Sequence, residues 1–230
     1  MTALAPEVFH VGTARTPVMV IDAVSGRIEA VRDVAAGLAP FPPARGNSYP
    51  GVRRHIKDSD TAAAAYARQL LGATVGAINR TFGFDGFALL DASFSVVTAT
   101  PERLTTQQSA PHFDSTDPDY LAVMHFVAGV DGSGTAFYRQ RATGIEVVSD
   151  ANLAAFVGAA QREAAGWRGY IGDTNPSFER IGAVEALPDR VVVYPSGLLH
   201  SGTIPAGMTF DPDPRRGRLT ANFFVRGRRA

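Results

Sequence analysis

From Gly86 onward the chain is divided into short segments that alternate apolar and polar residues, parted by clusters of Gly, Asp, Asn and Pro. A side-chain period of two gives each segment one face to bury and one to leave polar, so such a chain builds stacked or closed sheets. The segments are Gly86 to Thr98, Tyr120 to Ala128, Thr135 to Arg139, Phe178 to Leu187, Arg190 to Tyr194, His200 to Ile204 and Arg218 to Val225. Asp131-Gly132-Ser133-Gly134 reads as the turn of a hairpin whose return strand starts at Thr135, and the polar stretch Pro205 to Gly217 as a second, long hairpin. Two stretches carry a helical period instead. One follows Asp58-Ser59-Asp60, read as its N-cap, with Ala67, Leu71, Val75 and Ile78. The other follows Ser149 or Asp150, with Leu153, Phe156, Val157, Ala160 and Ala164 on one face.

The N-terminal part is less regular. Pro17 to Ile21 and Gly26 to Val31 read as short strands around a Ser25-Gly26 turn. Ala39 to about Lys57 reads as a proline-rich loop, either a surface connection or a lid over a pocket. With 230 residues and 45% hydrophobic content the chain can bury the core of one larger domain. Its 22 basic and 22 acidic residues cancel, so no global field favours nucleic acid or an anionic membrane. The absence of cysteine excludes disulfides, thiolate metal sites and a cysteine nucleophile, and leaves metal binding to His, Asp and Glu. Met1 to Pro6 shows no basic region leading into an apolar run, so a cytoplasmic protein is expected.

His112 and Asp114 flank one residue in Pro111-His112-Phe113-Asp114. On an extended segment both side chains face the same way and can bind one metal with a distant third ligand. His200, in Leu199-His200-Ser201-Gly202, opens a strand after the turn Pro195-Ser196-Gly197 and is the candidate. Two imidazoles and a carboxylate on one side of a metal leave its other positions open, the arrangement suited to non-haem iron. The tripeptide alone is a weak signal, because Asp114 could equally cap the turn that runs to Pro118. The last strand adds to it. Alternation puts Arg218, Thr220 and Asn222 on one face and Leu219, Ala221 and Phe223 on the other. A guanidinium fork beside a hydroxyl is what a buried carboxylate requires, although Arg218 by itself reads as a surface arginine. His125, in an apolar strand, reads as a hydrogen-bonded core residue, and His55 as a loop residue near a pocket. No Walker loop, dinucleotide fingerprint, nucleophile elbow or H-E-x-x-H helix is present.

In this order, His-x-Asp, glycine turn, distal His and Arg-x-Thr resemble the iron(II)/2-oxoglutarate-dependent oxygenase superfamily, nearest its prolyl 4-hydroxylase-like branch, over roughly residues 86–227. A likeness to a bacterial offshoot of that branch rests on Tyr49-Pro50-Gly51-Val52-Arg53, Tyr138-Arg139-Gln140-Arg141 and Leu199-His200-Ser201-Gly202. The resemblance implies a mainly β fold with supporting helices, the double-stranded β-helix (jelly roll, cupin-like). It would form one domain over 1–230, with N-terminal α+β support to about residue 85. It implies His112, Asp114 and His200 as the catalytic Fe(II) ligands, and Arg218 and Thr220 as partners of the distal carboxylate of the 2-oxoglutarate cosubstrate. Tyr120 and Tyr138 are implied as further residues of that pocket.

The implied reaction is hydroxylation of an unactivated C–H bond by dioxygen, with 2-oxoglutarate decarboxylated to succinate. Asp114 argues against halogenation, since related halogenases lack this carboxylate. The implied partners are a small-molecule or peptide substrate, without nucleic acid or membrane and with room for a homodimer. Arg218 stands further from His200 than is usual in this family, an excess attributed to the insertion Gly207 to Arg216. A non-catalytic cupin-like binding protein and a metal-dependent hydrolase on the same ligands are the alternatives. The hydrolase leaves Arg218 and Thr220 unexplained. Substrate choice is expected of loops 39–57, 101–110 and 166–177.

Overall fold

The computed structural model describes residues 5–46, 49–173 and 175–229, so the reading of Met1 to Leu4 lies outside it. The elements are β1 (Glu7–Val11), β2 (Thr16–Ile21), α1 (Ile28–Ala36), β3 (Gly51–His55), α2 (Thr61–Phe82), β4 (Gly86–Val97), β5 (Tyr120–Ala128) and β6 (Gly134–Gln140). There follow α3 (Leu153–Glu163), β7 (Phe178–Glu185), β8 (Arg190–Pro195), β9 (His200–Thr203) and β10 (Leu219–Arg228). Seven strands form one sheet in the order β1-β2-β8-β5-β10-β4-β3, and β7-β6-β9 form a second, with every pair antiparallel. A reciprocal bridge between His112 and His200 adds the His112 segment to the edge of the smaller sheet. The two sheets face each other as a double-stranded β-helix.

Period-two alternation accounts for the layers. On β10, Leu219, Ala221, Phe223 and Val225 are fully buried and pack, with Phe94, Val123 and Val193, against Tyr66, Leu70 and Ile78 of α2. The opposite face of the large sheet gives Val18, Ala122, Val192 and Tyr194 to a second cluster, shared with Phe137 and Leu198 across the gap. A third cluster on the outer face of the small sheet joins Ala136, Tyr138 and Leu199 to Phe156 of α3 and Trp167. Each large apolar side chain so buried contributes about 1.5–3 kcal/mol. Helix α2 ends at Gly83, whose left-handed backbone (φ 70°) lets its N–H reach Asn79 O. At Gly217 a Cβ would stand 2.2 Å from Asp211 O, so only glycine admits the chain into β10. Among the described residues no helix is long and apolar enough to cross a membrane.

Several local readings are corrected. Gly26 to Val31 is not a strand: α1 starts at Ile28, and its buried residues Val31 and Ala35 are one helical turn apart. The 39–57 stretch is not all loop, because β3 pairs with Ser93 to Val97 of β4. Asp60 occupies the N-cap position of α2 but makes no cap hydrogen bond; its carboxylate takes the Lys57 amide and Arg54 instead. The residue at the start of α3 is Asn152, not Ser149 or Asp150, and Val157 lies exposed. Neither expected hairpin pairs. β5 lies in the large sheet and β6 in the small one, and β9 and β10 are divided likewise, so both connections cross between sheets.

His125 is a satisfied core residue: Nδ1 meets Tyr66 Oη at 2.6 Å and Nε2 meets Asp189 Oδ1 at 2.9 Å. Asp189 also accepts the amides of Ser25 and Gly26, which anchors the β2–α1 turn. Burial pushes the Asp189 carboxyl up, but these hydrogen bonds outweigh it and hold its pKa at about 2. A depressed folded-state value stabilises the fold above the unfolded pKa near 3.9 and loses that contribution as pH falls toward 2. Asp189→Asn is expected to lower stability by about 1–2 kcal/mol at pH 7 and to flatten acid unfolding between about pH 4 and 2. Urea titrations of both proteins across that range check it.

Candidate active site

The open end of the barrel brings the three sequence-predicted ligands together. His112 Nε2 lies 3.8 Å from Asp114 Oδ1, His200 Nε2 lies 3.5 Å from Asp114 Oδ2, and the two imidazole centroids are 4.3 Å apart. One ligand atom from each residue fits within 4.8 Å of the others, so the group could hold a metal ion. The fold sets each in place. Reciprocal backbone hydrogen bonds of 2.9 Å tie His112 to His200, and the Asp114 amide donates to Ser196 O at 2.8 Å. The segment is therefore extended and both its side chains face inward. His200 Nδ1 lies 2.8 Å from Leu198 O, which makes Nδ1 the protonated nitrogen and leaves Nε2 as the free lone pair. Burial, with the charges of His200 and Arg53, lowers the His112 pKa well below the ordinary imidazole value and keeps it a neutral ligand. Burial raises that of Asp114, against the pull of His200 and Arg53.

Behind the triad lies a cavity that opens to solvent and is walled by β3, β4, β5, β9 and β10 residues. Arg218, immediately before β10, and Thr220 and Asn222 within it line the cavity, as the alternation predicts. Arg218 is 3% exposed. Its Nη2 donates to Gly134 O at 2.7 Å, its Nε is buried with no acceptor, and among the described residues no carboxylate pairs with it. Burial alone works against the guanidinium charge and lowers its pKa. Asn222 Nδ2 joins Thr220 Oγ1 and Ser95 Oγ, at 3.2 and 3.1 Å. The Tyr49 hydroxyl lies near Thr220 and Ser95 but forms no well-aligned hydrogen bond, and it too is buried without a partner.

Tyr138 and Tyr120 are not in the cavity wall. Tyr138 shares strand parity with Ala136, which turns it outward into the α3 cluster, while Thr135 on the other parity lines the cavity. Tyr120 has inward parity but stands at the rim, its ring 5.5 Å from Phe224. The tyrosines of the wall are Tyr49, Tyr170 and Tyr194, each with its pKa raised by burial and so a neutral donor. Sequence reasoning did not assign these, nor Arg53. The signal available was the period of two: Val52 turns outward to the core, so Arg53 turns inward. His55 is exposed, 2.8 Å from Asp91 Oδ1, and does not line the cavity.

A family model described as "Family of unknown function (DUF6445)" matches residues 2–225. The chain belongs to this family. No curated protein sequence matches this DUF6445 member. Among solved structures, it is similar to the non-heme alpha ketoglutarate dependent epimerase SnoN from nogalamycin biosynthesis, with a TM-score of 0.54 and 14% identity over 93% of this chain and 80% of that one. It is also similar to HygX from Streptomyces hygroscopicus with nickel and 2-oxoglutarate bound, with a TM-score of 0.53 and 15% identity over 92% and 83% of the two chains. At these identities the likeness establishes a shared fold, the double-stranded β-helix of the 2-oxoglutarate oxygenases.

Proposed function

We propose that this DUF6445 member is an iron(II)- and 2-oxoglutarate-dependent oxygenase that hydroxylates a C–H bond of a small molecule or peptide. The observation that carries the reading is Arg218. A buried cation without a counter-ion is costly, and this one opens on the same cavity as a two-histidine, one-carboxylate triad. A dicarboxylate that reaches from Arg218 to the metal position resolves both features at once. The donor set fits the group, because neutral imidazoles and one carboxylate on a single side suit iron(II) with open positions opposite.

In this reading His112, Asp114 and His200 hold the metal. Arg218 binds the distal carboxylate through its fork, helped by Thr220 and the unpartnered Tyr49 hydroxyl. Bound there, iron(II) and 2-oxoglutarate supply dioxygen activation coupled to decarboxylation of the cosubstrate to succinate. Leu198 O holds the His200 tautomer, and the Tyr194 ring, 4.8 Å from that imidazole, shields it from water. Asp114 keeps a carboxylate where a halogenase would need an open position, which favours hydroxylation.

Anaerobic addition of iron(II) and then 2-oxoglutarate is expected to give the weak visible charge-transfer band of a chelated 2-oxo acid. Succinate should form once air is admitted. A protein that binds iron but never develops the band refutes the proposal.

A further inference from the structure

The cavity contains a second arginine that this function does not use. Arg53 donates from Nε to Ser95 Oγ at 2.9 Å, and its guanidinium lies 4.6 Å from the centroid of the Tyr49 ring. Strand register places Arg53 beside Ser95, and Ser95 beside Thr220, on the inner face of the large sheet. The two contacts fix the guanidinium plane, while among the described residues neither Nη atom has an acceptor and no carboxylate forms an ion pair with it. Its charge reaches both His112 and Asp114.

Charge balance decides what this cation is for. Asp114 is the one carboxylate lining the cavity among the described residues. With iron(II) and 2-oxoglutarate in place, Asp114 and the cosubstrate dianion together neutralise the metal and Arg218. Arg53 is left over. We infer that Arg53 anchors a carboxylate on the molecule being oxidised, so that the substrate is an organic acid held by a fork whose plane Tyr49 and Ser95 set in advance. A planar fork so held is prepared for bidentate carboxylate binding. This inference rests on the oxygenase reading and adds the chemical class of the substrate.

The test uses a matched pair of probes, 3-phenylpropionate and 3-phenylpropionamide, alike in shape and different in charge. They are added to protein loaded with manganese(II) and 2-oxoglutarate, and paramagnetic relaxation of the probe protons reports binding near the metal. The acid is expected to bind the wild type at least about tenfold more tightly than the amide. Arg53→Met should remove that preference, with a loss of about 10- to 100-fold for the acid alone, and Arg53→Lys should keep part of it. Equal binding of acid and amide, relaxation of neither, or an unchanged preference in Arg53→Met overturns the inference. So does a loss of 2-oxoglutarate affinity in Arg53→Met as large as that in Arg218→Met, which would assign Arg53 to the cosubstrate. If Arg53→Met does not fold, the acid–amide comparison in the wild type and Arg53→Lys still decides. Absence of the charge-transfer band in the wild type refutes the oxygenase reading itself, whereas a normal band without acid preference refutes only the role of Arg53.

Discussion

Arg218→Met is expected to abolish 2-oxoglutarate binding while leaving the ligand-free protein as stable as before, or more so. The two effects have opposite signs for one reason. Without a dicarboxylate, Arg218 is a desolvated cation with a single backbone acceptor, Gly134 O, and an unpartnered Nε. Methionine of similar length removes that cost, and the unfolding free energy should change by between zero and about +2 kcal/mol. With the dicarboxylate bound, the same substitution breaks a buried charge pair. That costs about 3–5 kcal/mol, or roughly a hundred- to several-thousand-fold in affinity. Arg218→Lys keeps the charge but not the fork and should fall between the two. Thermal unfolding of the ligand-free proteins and titration of the charge-transfer band measure both halves. A melting temperature lowered by more than about 5 °C, with the cosubstrate still bound, would show that Arg218 serves the fold instead.

The second large effect is at His200. Removing an outer partner of a metal ligand costs about 10–100-fold in affinity, so removing the ligand itself in His200→Ala should exceed that. Because Leu198 O fixes the tautomer, the ring is held in place before any metal arrives, and the loss is not softened by rearrangement. Manganese(II) titration followed by electron paramagnetic resonance provides the measurement. Manganese(II) bound as tightly by His200→Ala as by the wild type would move the metal site elsewhere.

The parts of this molecule written in local pattern were legible in the sequence. β5 runs over Tyr120 to Ala128 as the apolar run indicated, and the two-residue period of the last strand sorted Arg218, Thr220 and Asn222 from Leu219, Ala221 and Phe223. His112 and Asp114 could be paired because an extended tripeptide needs no knowledge of the fold. Features that depend on closure of the barrel were not legible. Asp131-Gly132-Ser133-Gly134 has hairpin composition, yet it carries the chain across to the other sheet, and a turn motif does not encode which sheet follows. Tyr138 was placed on the wrong side because the inward parity of its strand, Thr135 and Phe137 in and Ala136 and Tyr138 out, is set by which face of the small sheet closes the barrel. Gly26 to Val31 is too short to separate a period of two from the first turn of α1. β3 was hidden by the prolines that precede it, Pro40, Pro42, Pro43 and Pro50, and with it Arg53.

The polar wall of the cavity is shared between strands of unequal security. β10 is flanked along its length by β4 and β5, so the amides of Thr220 to Asn222 open only when the whole sheet does. β3 is a short outer strand, paired with β4 on one side and joined on the other, among the described residues, only by the Arg53 N–H to Pro42 O and Ala44 N–H to Gly51 O hydrogen bonds. On the proposed reading, gentle heating should therefore loosen Arg53 before Arg218 moves, leaving an intermediate state that still binds the cosubstrate but has lost its grip on whatever is to be oxidised. Such a state would consume oxygen without product, which makes the attachment of one five-residue strand the point at which fidelity fails before activity does.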